Sequence, residues 1–170
     1  MDEIKSLDNI INQFLGLAKT QRLDLIPTNM NTFLDELVNL ISIEAKEKNI
    51  LLTKRIENLP EMKIDPEEMK KALLNIMRNG VQATPPGKAF KVQGFEDDSQ
   101  NQIVIRIKDS GPGIPKENLS KIFQPYFSTK EKGAGLGLSI AYRIISDHKG
   151  KIEVESEVGK GTIFTIKLPM

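Results

Sequence analysis

The sequence predicts a mixed α/β fold in which helices pack on one face of a single antiparallel or mixed sheet. Segments with helical and with strand periodicity are interspersed along the chain. Most strands are followed closely by another strand, which favours hairpins over the long crossovers of an all-parallel sheet. With 170 residues, the chain is long enough for one well-buried domain and a short extra element.

The composition is that of an ordinary soluble globular protein, with 39% hydrophobic and 28% charged residues. The formal net charge of +1 gives no reason to expect nucleic acid or an anionic membrane surface as a partner. The absence of cysteine excludes disulfides and the usual zinc sites, and the single histidine, His148, excludes a multi-histidine metal site. Because no apolar run reaches the ~18 residues of a membrane span, we expect a cytoplasmic protein without membrane contact, any span of its parent lying elsewhere.

The first twenty residues are predicted to form a separate helical element. Between residues 2 and 19 an apolar stripe has the 3-4-3-4 spacing of a helix seam, formed by Ile4, Leu7, Ile11, Phe14 and Ala18. Further apolar residues widen the stripe, which suits a helix bundle better than a two-stranded coil: Ile10, Leu15 and Leu17. A helix that lies on its own domain is the alternative. A polar hinge at 19–22 follows, and we place the domain boundary between residues 20 and 21.

The following domain, residues 21–170, begins with a short strand over 23–26 that Pro27 closes. Asn31 or Thr32 is expected to cap a helix over 32–48, whose core face is Phe33, Leu37, Leu40, Ile41 and Ala45. Asp65 is the expected N-cap of another helix, because Pro66 and an acidic first turn follow it. The predicted elements are strands at 50–56, 89–96, 102–108, 151–156 and 162–168, and helices at 32–48, 66–83, near 116–123 and at 136–148.

The first candidate site motif lies on the helix over 66–83. Asn75 and Asn79 are four residues apart, so they lie one turn apart on the same face. Because apolar residues are spread around this helix, the helix is expected to be largely buried, and buried amides need hydrogen-bond partners. The hydrogen-bond partners of the two asparagines could equally be a ligand or local backbone groups, and the pair alone does not decide between these alternatives.

The second motif, Asp109-Ser-Gly111-Pro-Gly113-Ile114-Pro, directly follows the apolar strand 103–107. A carboxylate at the end of a strand can accept a hydrogen bond from an exocyclic amine, and the glycines let the backbone approach a ligand. An ordinary Asp-Gly turn is the alternative reading of this segment.

The third motif, Gly133-Ala-Gly135-Leu-Gly137-Leu-Ser139, opens the helix at 136–148. Its glycines permit positive φ, and free N–H groups at a helix start attract phosphate. Leu138 stands where a dinucleotide-binding fingerprint needs glycine, and the chain contains no GxxxxGK[ST] loop. A Rossmann fold or a Walker-type ATPase is therefore not indicated.

In order and separation these motifs resemble those of the GHKL ATP-binding superfamily, and in particular of sensor histidine kinases. The segment 75–79 resembles the N box, DSGPGIP the G1 box, 122–127 the F box, GAGLGLSIA the G2 box, and 159–164 the final glycine box. The resemblance covers about residues 23–169 and is nearest to the nitrogen-regulation and sporulation-kinase branch.

The resemblance implies a two-layer α/β sandwich of the Bergerat type that binds ATP or ADP with Mg²⁺ under a mobile lid over 116–134. In that reading Asp109 accepts a hydrogen bond from the adenine amine, and Thr162 contributes a contact through a water. Asn79 ligates Mg²⁺, and Phe123 and Phe127 form the apolar latch of the lid. The implied nucleotide contacts are Asn79, Asp109, Gly111, Gly113, Ile114, Phe123, Lys130, Gly133, Gly135, Leu136, Gly137, Leu138 and Thr162. The implied catalytic residues are Asn75, Asn79 and Lys130.

The identity of residue 75 distinguishes kinases from hydrolases within this resemblance. Relatives that hydrolyse ATP carry a glutamate there, and the amide of Asn75 cannot act as a general base near neutral pH. Phosphoryl transfer depends mainly on positioning and charge neutralisation, which Mg²⁺ and Lys130 could supply. Transfer of the γ-phosphate to another nucleophile is therefore favoured, with an ATP hydrolase and a nucleotide-binding or dimerisation module without catalysis as alternatives.

The phosphoacceptor histidine is expected on another segment, because no histidine precedes His148 and that residue resembles a structural histidine of the family. Autophosphorylation of this chain alone is therefore not expected. Residues 1–20 resemble the second helix of a truncated dimerisation hairpin. The implied partners are the phosphoacceptor domain of the parent kinase, a response regulator, and a second copy through residues 2–18. One departure from the family pattern is Gly80, which stands where alanine is usual and costs the helix about 1 kcal/mol.

Overall fold

A five-stranded mixed sheet lies at the centre of the structure. The computed structural model describes residues 22–129 and 134–170. Its elements run in chain order as β1 (Ile26–Asn29), α1 (Met30–Glu47), β2 (Leu51–Ile56), β3 (Glu61–Ile64), α2 (Pro66–Ala83), β4 (Ala89–Asp97), β5 (Gln102–Lys108), α3 (Lys116–Leu119), α4 (Gly137–Asp147), β6 (Lys151–Glu157) and β7 (Gly161–Pro169). The predicted helix over 2–19 and the predicted boundary after residue 20 lie outside the described residues.

The strand order in the main sheet is β2-β4-β5-β7-β6. Only the β2–β4 pair is parallel among these neighbours, because β3 and α2 intervene between the two strands; the other pairs are antiparallel. β1 and β3 form a separate two-stranded antiparallel sheet. The prediction of an antiparallel or mixed sheet is therefore confirmed for the main sheet, but the prediction of a single sheet was wrong, because β1 and β3 pair separately.

The core lies between one face of this sheet and the helices α1, α2 and α4. Alternate residues of β5, Ile103, Ile105 and Ile107, belong to the core cluster. The residues between them point to the opposite face, where Arg106 lies over the Phe95 ring at 5.1 Å from its centroid. Helices thus cover one face of the sheet, as the sequence predicted. None of the helices in the described ranges is long and apolar enough to cross a membrane.

Helix α2 begins and ends as the sequence predicted. The side chain of Asp65 accepts a hydrogen bond from the Glu68 N–H at 3.0 Å, and Pro66 occupies the first turn. At the other end, the Thr84 hydroxyl and N–H both donate to the Gly80 carbonyl, at 2.8 and 3.0 Å. Both ends of the helix that carries the two asparagines are therefore fixed.

The first predicted strand was placed too early. Strand β1 begins at Ile26 and continues through Pro27, and its partner, β3, was not predicted. Proline is tolerated because the two-stranded sheet leaves one side of β1 without ladder partners. Leu25 and Ile26 remain about half exposed, since this small sheet buries little of its own surface.

Helix α1 begins two residues earlier than predicted, at Met30. Asn29 is its N-cap, because its side chain accepts from the Thr32 N–H at 3.0 Å. The proposed cap Asn31 instead donates to the Glu57 carbonyl at 2.7 Å. The predicted core face was wrong at Leu40, which is 43% exposed. The buried residues of the helix are Met30, Phe33, Leu34, Leu37, Val38, Ile41 and Ala45. Helix α3 is also shorter than predicted, ending at Leu119.

Gly80 lies against the ring of Phe90, the largest of the fully buried side chains. A Cβ at position 80 would lie 2.5 Å from Phe90 Cε2, which is closer than real Cβ contacts come. The glycine that weakens α2 in terms of propensity therefore makes room for an aromatic side chain in the core.

Candidate functional site

Asp109 follows β5 and is buried, with 4% of its surface exposed. Its Oδ1 accepts hydrogen bonds from the Gly111 N–H at 2.8 Å and from the Thr162 N–H at 3.2 Å. The Asp109 N–H donates in turn to the Thr162 carbonyl at 3.0 Å. One carboxylate oxygen is thus held by the loop after β5 and by the beginning of β7.

The second oxygen of Asp109, Oδ2, accepts no hydrogen bond within the described part of the chain. In that part of the chain, the one fully buried side-chain polar atom without a hydrogen-bond partner is Arg143 Nε. Because Oδ2 also lacks a partner, it must be in contact with solvent. Burial raises the pKa of Asp109, and the backbone donors Gly111 and Thr162 oppose that rise. The site therefore presents one fixed, desolvated acceptor to whatever binds there.

Gly113 positions the loop after Asp109 against the β6–β7 hairpin. Its φ of 76° is left-handed, and a Cβ would lie 2.2 Å from the Glu157 carbonyl oxygen. On the other side of the same contact, the Gly159 N–H donates to the Pro112 carbonyl at 2.8 Å. Only glycine fits at position 113, and the G1 loop and the hairpin are consequently in direct contact.

Ser156 on β6 is a member of this cluster that sequence reasoning missed. Its Oγ accepts from the Ile114 N–H at 2.8 Å and lies 2.9 Å from the Gly161 carbonyl oxygen and 2.9 Å from Thr162 Oγ1. A serine in an edge strand has no sequence pattern that marks it as a site residue. Its role depends on which loop the fold packs against it.

Asn75 and Asn79 lie on α2 as predicted; the helix is largely buried, as expected, and the two asparagines themselves are half-buried. Neither side chain forms a hydrogen bond with the described residues, and neither is sealed from solvent. The alternative that local backbone groups satisfy the two amides is therefore not supported. Both remain available to a ligand.

The start of α4 lies beside Asn75. A Cβ at Gly137 would be 3.5 Å from Asn75 Oδ1, which is ordinary contact distance. The first N–H groups of a helix, here including that of Leu138, have no intrahelical partners. Leu136 occupies the N-cap position and provides no side-chain cap for them. The Asn75 amide and the backbone donors at the start of α4 therefore lie side by side, an arrangement suited to anionic ligands.

The segment before α4 contacts the core through Phe123. Its ring lies 5.3 Å from that of Tyr142 on α4 and 6.4 Å from that of Phe164 on β7. At the far end of the segment, Gly135 has a φ of 66°, and a Cβ there would lie 2.8 Å from the Phe127 carbonyl oxygen. Residues 127 and 135 are thus adjacent in space. The predicted site residues Lys130 and Gly133 lie outside the described residues.

The described ranges contain no group of three or more His, Cys, Asp or Glu residues that could hold a metal ion. A magnesium ion would therefore need ligands from the nucleotide and water in addition to a protein group. The free amide of Asn79 fits that requirement, because Mg²⁺ is commonly bound through one or two protein oxygens plus substrate phosphates.

Both ring nitrogens of His148 are engaged. Nδ1 lies 2.8 Å from the Ile144 carbonyl, and Nε2 accepts from the Asp65 N–H at 3.0 Å. Because a carbonyl can only accept, these partners place the proton on Nδ1. The geometry agrees with the prediction that His148 is structural rather than the phosphoacceptor.

A mixed sheet covered by helices on one face, with a buried carboxylate between glycine-rich loops, defines an α/β sandwich with a candidate ligand site. The chain belongs to the family of histidine kinase-, DNA gyrase B- and HSP90-like ATPases, whose model matches residues 64–170. The predictions of a GHKL fold and of an ATP-binding domain of the sensor histidine kinase type are confirmed.

Sensor kinases are among the relatives most similar in sequence. The chain is 36% identical to sporulation kinase C of Bacillus subtilis over 99% of its own length and 39% of the relative. It is also 36% identical to the sensor histidine kinase ZraS of Escherichia coli, over 99% of its own length and 36% of the relative. The chain thus spans less than half the length of these curated relatives.

Solved histidine kinases share the fold. Full-length ShkA in complex with AMPPNP aligns with a TM-score of 0.87 at 28% identity, over 96% of this chain and 36% of that one. ThkA in complex with the response regulator TrrA aligns with a TM-score of 0.83 at 28% identity, over 99% of this chain and 48% of that one. The catalytic domain of ThkA aligns with a TM-score of 0.78 at 30% identity, over 86% of this chain and 96% of that one.

Proposed function

We propose that this chain is the catalytic part of a two-component sensor histidine kinase, which transfers the γ-phosphate of ATP to a histidine outside this chain. A response-regulator aspartate is the next acceptor. The names of the relatives support this class of activity, and ThkA was solved with a response regulator. Residues 1–20 are proposed to belong to the dimerisation hairpin, with a homodimer forming through residues 2–18.

The observation that carries the proposal is the buried carboxylate of Asp109, with one oxygen bonded and the other accessible. Oδ1 is occupied by two backbone donors, so Oδ2 is left to accept from a ligand. The exocyclic amine of adenine is a donor of the required kind. Desolvation strengthens such a hydrogen bond, since water competes weakly for a buried acceptor.

The phosphate end of the proposed site lies between α2 and α4. The free N–H groups at the start of α4 would bind phosphate oxygens, and the Asn79 amide oxygen would ligate Mg²⁺. Bound Mg²⁺ supplies neutralisation of the phosphate charge. Lys130 is proposed to add a second positive charge near the terminal phosphate, and Gly133 and Gly135 to contact it through their backbone.

Asn75 favours transfer over hydrolysis in this proposal. Its amide lies next to the start of α4, where a terminal phosphate would bind, yet an amide cannot take a proton from water near neutral pH. A hydrolase would need a carboxylate at this place. The nucleophile is therefore proposed to come from a separate acceptor, which supplies its own imidazole nitrogen.

Calorimetric titration of the chain with ADP and AMPPNP, each with and without Mg²⁺, tests the nucleotide site. One-site binding that Mg²⁺ strengthens is the expected result. No binding at millimolar nucleotide contradicts the proposal and favours the module without catalysis.

Transfer is tested by mixing the chain with labelled ATP and a full-length parent kinase that is disabled by the change equivalent to Asp109→Asn. Acid-labile label on the disabled partner can come only from this chain, and it is the expected outcome. If the chain releases inorganic phosphate and the disabled kinase acquires no label, the chain is a hydrolase instead.

A further inference from the structure

We infer that Ser156 is a positioning residue that fixes the hydroxyl of Thr162 as a hydrogen-bond acceptor, and so makes the site selective for a purine with an acceptor at ring position N1. The inference rests on the proposed adenine-nucleotide function of the site around Asp109. It assigns a role in base selection to a residue on a strand outside all five nucleotide motifs.

The hydroxyl of Ser156 lies at the centre of three contacts. The Ile114 N–H donates to it at 2.8 Å, the Gly161 carbonyl lies at 2.9 Å, and Thr162 Oγ1 lies at 2.9 Å. Ser156 is itself half-buried on β6. These contacts join the loop after Asp109 to the first two residues of β7.

Counting protons gives one assignment that satisfies all three contacts. A serine hydroxyl has one proton to donate and two lone pairs. The Gly161 carbonyl can only accept, so it takes the proton of Ser156. The Ile114 N–H occupies one lone pair, and the remaining contact requires Thr162 to donate its own proton to Ser156.

The consequence is that Thr162 has no donor left for a ligand. Its N–H is bound to Asp109 Oδ1 and its hydroxyl proton to Ser156, so its Oγ1 offers only lone pairs. A water bound to this oxygen must donate one proton to it, which leaves the other proton for a neighbouring base. Ring position N1 of adenine is an acceptor and matches that proton.

A base with N1–H, such as hypoxanthine or guanine, instead directs a donor at the free proton of that water. Two donors then face each other, and no hydrogen bond forms. Asp109 Oδ2 separately disfavours the carbonyl that these bases carry at position 6, since two acceptors would face each other. Asp109 therefore discriminates at the amine, and Ser156, through Thr162, discriminates at the ring nitrogen. The two effects can be separated with base analogues.

The test compares the affinities of ADP and 1-deaza-ADP, in which N1 is replaced by C–H while the amine stays. We expect the natural chain to bind ADP about fivefold more tightly, the usual effect of one hydrogen bond. In Ser156→Ala the ratio should fall to about one, and Ser156→Thr, which keeps the hydroxyl, should restore it. 7-Deaza-ADP is the control, because N7 lies on another edge and its affinity relative to ADP should not change between variants.

A ratio that stays about fivefold in folded Ser156→Ala overturns the inference while leaving the nucleotide site intact. If the natural chain binds no ADP at all, the proposed function fails instead, so the two failures are distinguishable. Ser156→Cys provides a second route should the alanine variant not fold, because a thiol nearly keeps the shape and hydrogen-bonds weakly. In that variant a reduced ratio supports the inference, and an unchanged one contradicts it.

Discussion

His148 Nε2 accepts a hydrogen bond from the backbone N–H of Asp65 at 3.0 Å, joining two positions 83 residues apart. Asp65 is the N-cap of α2, and His148 is the residue at the end of α4. The imidazole also contacts the Ile144 carbonyl through Nδ1 at 2.8 Å. It therefore connects the beginning of one core helix with the end of the other, and helps to fix how the two helices that line the candidate site pack together.

Replacing this histidine should lower stability without affecting nucleotide binding. We expect His148→Ala to reduce the free energy of unfolding by about 1 kcal/mol, the usual net effect of a hydrogen bond. Asp65 and Asn79 are separated along α2 by about 21 Å at 1.5 Å per residue, so the nucleotide site should be unaffected. Urea denaturation and calorimetry with ADP measure the two quantities. A large loss of ADP affinity in a folded His148→Ala variant would assign His148 a part in the site instead.

The isosteric change Asp109→Asn should abolish adenine-nucleotide binding and leave the fold intact. The backbone donors Gly111 and Thr162 hold an oxygen at the Oδ1 position, so the new NH₂ group would face the ligand and oppose the adenine amine. Removing a buried charge should not lower stability. Calorimetry with ADP and thermal denaturation give the two readouts, and Asp109→Ala should also lose binding. Unchanged ADP affinity in either variant would show that the adenine site lies elsewhere.

Nucleotide affinity should also fall on acidification, at a pH above that at which an ordinary aspartate is protonated. Burial raises the pKa of Asp109 from 3.8, and the ionised form is the better acceptor for the adenine amine. The sign for stability is the opposite. Because the folded pKa is the higher one, the neutral carboxyl favours folding below 3.8, and that contribution is lost as pH rises through the folded value. Titrations of ADP across the acidic range measure the first effect. An affinity that is constant down to the ordinary aspartate range contradicts it.

Asn79→Ala should weaken Mg²⁺-dependent binding more than metal-free binding. The amide has no partner among the described residues, so its removal leaves no buried group unsatisfied and should cost little stability. We expect the strengthening of AMPPNP binding by Mg²⁺ to fall by about tenfold or more, as for other altered metal sites. Asn39→Ala, on the exposed face of α1, is the matched control. Equal losses with and without Mg²⁺ would remove Asn79 from the metal site.

Most of the fold could be predicted because its signals are local. The cap at Asp65, the paired asparagines of α2 and the apolar pattern of β5 depend on residues close together in the sequence. Strand β3 could not be predicted, since four residues of mixed polarity form a strand only when β1 is placed beside them. Leu40 was assigned to the core by its spacing alone, and the helix rotates it towards solvent.

The candidate site divides in the same way. Asp109 and Gly113 belong to one short motif, and in the structure the Thr162 N–H donates to Asp109 Oδ1. The nucleotide roles that the resemblance implies for these residues stay predictions. Ser156 could not be found from the sequence, because its hydrogen bonds link three separate segments. Its partner Ile114 was predicted as a nucleotide contact, but its N–H is occupied by that serine. The roles of Lys130 and Gly133 stay predictions, outside the described residues.

Gly80 shows a conflict between local and tertiary preference, and it gives a prediction with an unusual sign. Alanine is favoured over glycine in the middle of a helix by about 1 kcal/mol, so helix propensity alone predicts that Gly80→Ala stabilises the protein. In the structure a Cβ at this position would lie 2.5 Å from Phe90 Cε2, and the ring is fully buried. Overpacking of this kind costs about 1–3 kcal/mol. We therefore expect Gly80→Ala to lower the free energy of unfolding by up to about 2 kcal/mol.

A double-mutant cycle with Phe90→Leu separates the two effects. Phe90→Leu alone should destabilise the protein by shrinking the core, but it removes the ring atom that a Cβ at position 80 would meet. In that background Gly80→Ala should become stabilising by about 1 kcal/mol, because only the helix preference remains. Urea denaturation of the four proteins without nucleotide measures the cycle. If Gly80→Ala has the same effect in both backgrounds, the ring of Phe90 is not the reason that α2 carries a glycine at this position.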